Sequence, residues 1–160
     1  MIKQNMRKSA LLIVLCALIS GCYNVYALSR IKPETEEKIK IKKEWKGSRC
    51  GYVEPSKSVI STEEQWKEIW DKMFRYLLSK PELPKIDFDK EMILAAFMGE
   101  RRTGGYEISI KRIIKTDKEI VAYIEEREPD PESFRTMALT QPYHVVVVKK
   151  YSLPVRFRRL

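Results

Sequence analysis

Thiols, one imidazole and clustered carboxylates are the groups in this chain with types suited to chemistry. Cysteines stand at 16, 22 and 50, and the one histidine is His144. A thiol or hydroxyl beside an imidazole can be an activated nucleophile, and three or four Cys, His or carboxylate ligands can hold zinc. Cys50 and His144 alone fall short of a zinc set. Nucleophilic chemistry would need the fold to bring His144 to Cys50 or to a serine. Otherwise Cys50 reads as a small half-buried residue. Glu125, Glu126 and Glu128 could attract a weak cation, although a run of this kind is normally a solvated face. A phosphate loop needs Lys-Ser/Thr after its second glycine; Gly105 and Tyr106 stand there instead, and no Gly-x-Gly-x-x-Gly occurs. The chain therefore reads as no enzyme, with no catalytic residue, no metal, no cofactor and no small-molecule substrate evident.

Cys22 has a different chemistry. Lys3, Arg7 and Lys8 precede a short apolar run from Ala10 to Ile19, and Ile19-Ser20-Gly21-Cys22 follows. The run is half the roughly 20 residues a membrane span needs, so it reads as a secretory leader. The last four residues resemble the bacterial lipobox. That resemblance implies cleavage before Cys22 and a thioether to lipid on its thiol, which makes residues 1–21 a lipoprotein signal peptide. It places the mature protein in the cell envelope, anchored on the outer side of the cytoplasmic membrane or in the outer membrane. Several acyl chains hold a protein stably, since each buried methylene contributes about 0.8 kcal/mol. With Cys16 removed and Cys22 acylated, Cys50 has no disulfide partner in the chain.

The 160 residues suffice for one domain with a real core, and 44% hydrophobic with 33% charged content suits a globular fold. The formal net charge of +9 includes the three leader cations. The remaining excess is interspersed with Glu and Asp. It shows no stripe of Lys and Arg interleaved with aromatics, so nucleic acid is not an expected partner. A mild attraction to anionic headgroups or to an acidic partner fits better.

Residues 22–37 lack amphipathic period, contain Pro33 and read as a tether; residues 38–160 read as the domain. A first strand is expected at Ile39–Lys42 running toward Trp45, with short strands at Tyr52-Val53 and Ser58–Ile60. Ser61 and Glu64 have the spacing of a capping box. Trp66, Ile69, Trp70, Met73, Phe74, Leu77 and Leu78 then form one apolar stripe at helical period. This predicts a long amphipathic helix from about Thr62 to Ser79, stopped by Pro81 and Pro84, with both tryptophans in the core. Strands are expected at about 91–98, 106–115 and 119–126, and at 145–148, whose continuous valines predict burial on both faces. Leu153–Phe157 reads as an edge strand guarded by outward arginines. The fold class is α+β: an antiparallel sheet or sandwich meander with the helix packed on it.

One stretch stands out, Met98 to Tyr106, where Gly104-Gly105 follows Glu100, Arg101 and Arg102. Glycines accept positive φ and let another backbone approach closely. If the strands alternate in direction, this loop shares a sheet end with the loop from Glu128 to Gln141, and the turns near 117 and 152 share the other. Arg101, Arg102, Thr103, Gly104, Gly105 and Tyr106 would then stand beside Gln141, Pro142 and Tyr143 as a candidate partner-binding site. The tyrosines offer large contact area at low entropic cost. The alternative is that the glycines only shape a turn and Tyr106 only packs.

The order Met92-Ile-Leu-Ala-Ala-Phe-Met-Gly-Glu-Arg-Arg-Thr-Gly-Gly-Tyr-Glu-Ile-Ser-Ile110, followed by Thr140-Gln-Pro-Tyr-His-Val-Val-Val-Val148, resembles the PrcB-type protease-complex-subunit family. Glu63-Glu64-Gln65-Trp66 with Trp70 fits the same pattern, so the resemblance spans about 58–160. It implies an exported or lipid-anchored, non-catalytic subunit that binds another envelope protein, with a protease as the implied partner to associate with or stabilise. More distantly, Arg102–Tyr106 with Gln141-Pro142-Tyr143 resembles the loops of chagasin-like cysteine-protease inhibitors. The Asn-Pro of that pattern is missing, Gln141 replaces Arg, and no separate Gly-x-Gly-Gly loop is present. Direct inhibition, or a structural envelope lipoprotein without a protease partner, stay open as alternatives.

Overall fold

The computed structural model describes residues 35–134 and 136–160. The leader, Cys22 and residues 23–34 of the expected tether lie outside the described residues. The order of elements is β1 (Glu37–Lys38), β2 (Lys43–Gly47), β3 (Ser56–Ile60), α1 (Glu63–Met73), β4 (Glu91–Phe97), β5 (Glu107–Lys115), β6 (Ile120–Arg127), β7 (Tyr143–Lys149) and β8 (Val155–Arg159).

The strands form two four-stranded sheets, β1-β5-β6-β8 and β2-β7-β4-β3. All pairs are antiparallel except β6 with β8, which is parallel. The alternating inward residues of β4 and β7 (Met92, Leu94, Ala96, Val146, Val148) meet Ile108, Ile110, Ile113, Ile120, Ala122 and Ile124 of the facing sheet. The opposite face of β4 and β7 (Ile93, Ala95, Phe97, Val145, Val147) packs against α1. The valine run is thus fully buried from both sides, as its composition predicts.

Three expectations need correction. The strands are no single meander: the chain passes between sheets in the glycine loop and again between β6 and β7, so only the sandwich half of that expectation describes the fold. The strand expected at Ile39–Lys42 is the crossing from β1 to β2. Ile39 N–H donates to Ile113 O in one sheet (2.8 Å) and Lys42 N–H to Val147 O in the other (2.9 Å). Tyr52-Val53 forms no strand; the carbonyl of Val53 instead accepts the Glu100 N–H at 2.7 Å.

The helix is short as well. It spans 11 residues instead of running to Ser79. Its cap is one residue later than the Ser61–Glu64 spacing predicts. Thr62 Oγ1 accepts the Gln65 N–H (3.3 Å), while Gln65 Oε1 accepts the Ser61 N–H (3.0 Å). At the other end a loop takes over the helix's own bonding. The carbonyl of Met73 accepts the Gly51 N–H at 2.9 Å, and Arg75 donates to the Gly51 carbonyl. Leu77 N–H turns back to Phe74 O (3.1 Å), which closes the helix. Leu77 and Leu78 therefore leave the stripe and are exposed. Trp66 and Trp70 stay in the core, at 1% and 3% exposure, and their indole N–H groups donate to Pro84 O and Pro81 O.

Candidate functional site

The glycine loop and the β6–β7 loop lie together at one end of the sandwich. Arg101 and Thr140 exchange both backbone hydrogen bonds (2.7 and 2.9 Å), and Thr140 Oγ1 donates to Thr103 O (2.9 Å). Gly104 N–H donates to Thr136 O (3.0 Å), Gln141 Nε2 to Glu100 Oε2 (2.9 Å), and Met98 N–H to Pro142 O (2.9 Å). Ser48 O accepts the Gln141 N–H (2.8 Å), which adds the β2–β3 loop to the same end. The turns at 116–119 and 150–154 meet at the opposite end, where Ile120 N–H donates to Pro154 O (2.8 Å).

The close approach that the glycines permit is used inside the chain. Gly105 has φ +90°, and a Cβ there would lie 2.6 Å from Pro129 Cβ. At Gly104 a Cβ would overlap the Thr136 hydroxyl. The paired glycines thus seat the β6–β7 loop on the glycine loop. Pro142 and Tyr143 are buried, so they frame the site. Arg102 and Gly105 are exposed; Arg101, Thr103, Tyr106 and Gln141 are half-buried, with Arg101 over the Tyr106 ring at 5.7 Å.

The groups suited to chemistry are held in other roles. The Cys50 S–H donates to Gln141 O (3.3 Å), and burial pushes the thiol up to about 11, away from the nucleophilic thiolate. His144 Nδ1 accepts the Ile110 N–H from across the sandwich (2.8 Å), which leaves its proton on Nε2, 3.2 Å from Glu44 Oε2. Glu125 pairs with Lys111 and Arg127, and Glu126 with Arg159. Among the described residues no cluster of three His, Cys, Asp or Glu side chains could hold a metal.

His144 gives a pH prediction. Burial, the largest influence, holds its imidazole below the ordinary 6.5 against the opposing pull of Glu44. Protonation occurs more readily in the unfolded chain than in the folded one, so the neutral ring stabilises the fold fully above about pH 6.5. That contribution is lost as pH falls toward the folded value. The urea midpoint should drop between about pH 7 and pH 5, and the drop should be shallower in His144→Gln. Parallel pH profiles for the two proteins would overturn the assignment. His144→Ala, which orphans the buried Ile110 N–H, should cost about 1–3 kcal/mol at neutral pH.

Residues 92–149 match the family model described as PrcB C-terminal. This segment is similar to PrcB C-terminal domains. It runs from β4 to β7 and contains both loops of the site, whereas β3, α1 and β8 lie outside it. No curated protein and no solved structure matches the chain.

Within the matched segment the structure also presents residues that their spacing does not single out. Phe134, Met137 and Leu139 of the β6–β7 loop are exposed, Phe134 completely. Three large apolar groups in an otherwise polar loop are the signal that was available. A shallow pocket of about 170 Å³ opens at the same end, lined by Cys50, Phe74, Tyr76, Leu77 and Gln141. Exposed apolar side chains mark an interaction site when they gather into one patch rimmed by polar residues, whereas single ones are ordinary surface.

Proposed function

We propose that the protein is a lipid-anchored envelope protein that acts as a non-catalytic, protease-associated subunit and binds its partner through the loop end. The observation that carries this reading is that the segment matching the PrcB C-terminal model contains both loops, which bond to one another and expose Arg102, Phe134, Met137 and Leu139. Such anchors contribute most of the energy in typical interfaces. A non-catalytic role is supported by His144 and Cys50, each held in the fold by a hydrogen bond and neither bonded to the other. Lipid on Cys22 is supported by the leader and by Ile19-Ser20-Gly21-Cys22.

The test is crosslinking in intact cells, followed by capture of the tagged protein and identification of what comes with it. A protease should be captured by the wild type. Phe134→Ser with Arg102→Glu should reduce capture about tenfold or more and change stability by no more than about 0.5 kcal/mol, since both side chains are exposed. Palmitate fed to the same cells should label the wild type and not Cys22→Ala. Undiminished capture by the folded double variant removes the loop end as the site, and equal labelling removes the lipid anchor.

A further inference from the structure

The end of the sandwich opposite the loops has a different surface. Six lysines there, Lys38, Lys40, Lys43, Lys118, Lys149 and Lys150, are exposed and make no ion pair among the described residues. Their positions come from the pairing. Lys38 is opposite Ile114 beside the 116–119 turn, Lys43 is opposite Val147, and Lys149 is opposite Glu91. Lys40 lies in the crossing between the sheets, and Lys150 N–H donates to Lys90 O. The Tyr151 ring lies between the ammonium groups of Lys115 and Lys149, at 5.7 and 5.9 Å, which brings the ends of the two sheets together. Three further lysines at this end neutralise Glu37, Asp87 and Glu91, and Arg156 and Arg158 pair with Glu119, which leaves Glu36, Asp89 and Asp117 against the six. The two loops at the other end carry charges of both signs, Glu100, Glu128 and Glu132 together with Arg101 and Arg102.

We infer that this lysine-rich end is a docking face for anionic lipid headgroups. The chain enters the domain at this end, through Thr35 to Lys38, so a membrane anchor upstream would present this face to the bilayer. Residues 23–34 would span at most roughly 40 Å when extended. The unpaired cations are all lysine, compact point charges that suit a diffuse layer of headgroups better than bidentate recognition of one phosphate or carboxylate. Each lysine near an anionic surface adds to the attraction, which acts only within a Debye length of about 8 Å. Docking here turns Arg102 and Phe134 away from the membrane, toward a partner in solution. This inference rests on the envelope location proposed above, but its test does not use the lipid.

The test uses the full chain carrying Cys22→Ser, so that no acyl group contributes. Sedimentation with vesicles of phosphatidylcholine alone is compared with sedimentation on vesicles containing phosphatidylglycerol. The leader is common to every variant and cancels in the comparison. Lys38→Gln, Lys40→Gln, Lys43→Gln and Lys149→Gln together should weaken binding to the anionic vesicles at least tenfold and leave binding to the neutral ones unchanged. The effect should shrink as salt is added. Arg101→Gln with Arg102→Gln, at the far end, should leave anionic binding at wild-type strength. Equal binding of the folded four-lysine variant and the wild type overturns the inference, and so does an equal loss from the far-end variant. Equal palmitate labelling of the wild type and Cys22→Ala would remove the lipid anchor and leave the vesicle result standing.

Discussion

Trp70→Ala is expected to cost about 3–5 kcal/mol, as truncation of a large aromatic in a core does. Trp70 sits at the centre of an aromatic cluster, with ring centroids 4.5 Å from Phe74, 5.0 Å from Trp66 and 5.8 Å from Trp45. Removing it opens a cavity between α1 and the β2-β7-β4-β3 sheet. It also removes the indole N–H that meets the Pro81 carbonyl at 3.0 Å, a bond that folds the segment after α1 back over the helix. Trp70→Phe should fall between, because it restores most of the volume and not the donor. Urea unfolding of the three proteins measures both contributions. A loss under about 1 kcal/mol for Trp70→Ala would show that the ring faces solvent, and the helix stripe would then be a binding surface.

Gly51→Ala should cost at or above the upper end of the roughly 1–3 kcal/mol that overpacking costs. A Cβ at Gly51 would overlap the Lys72 carbonyl oxygen, a backbone atom at the end of α1 that no side-chain rotation can move aside. The neighbouring Arg75 side chain is also within 3 Å. Relief requires the β2–β3 loop to leave the helix, which breaks the bond from Gly51 N–H to Met73 O and the bond from Arg75 to the Gly51 carbonyl. Hydrogen exchange at the Gly51 amide should accelerate along with the stability loss. A near-neutral substitution with unchanged exchange would mean that the loop does not close the helix, and the early end of α1 would need another cause.

Much of the strand inventory was legible along the chain. The apolar run at Met92–Phe97, the alternation after Tyr106 and the run at Val145–Val148 each fall within an observed strand, because side-chain period is a local property of the backbone. The helix start was legible to within one residue, since adjacent Ser61 and Thr62 are both capping types and it is the Thr62 hydroxyl that accepts the Gln65 N–H. Its end was not. Leu77 and Leu78 continue the helical period, yet the Met73 carbonyl is taken by Gly51, a residue distant in sequence whose arrival no periodicity encodes.

The candidate site divides along the same line. Alternation of strand direction is enough to set the glycine loop beside the β6–β7 loop, because each connection reverses the chain and so returns to a known end. Residue type is enough to mark Gly104 and Gly105 as places of close approach. What approaches them depends on the tertiary structure: Thr136 and Pro129 of the same chain fill that space, and Phe134, Met137 and Leu139 are left outside as the apolar surface. Local rules state which conformations and contacts a residue permits. Which permitted contact forms is settled by competition among distant segments for the same carbonyls and the same volume, and that competition exists only once the two sheets have closed on each other.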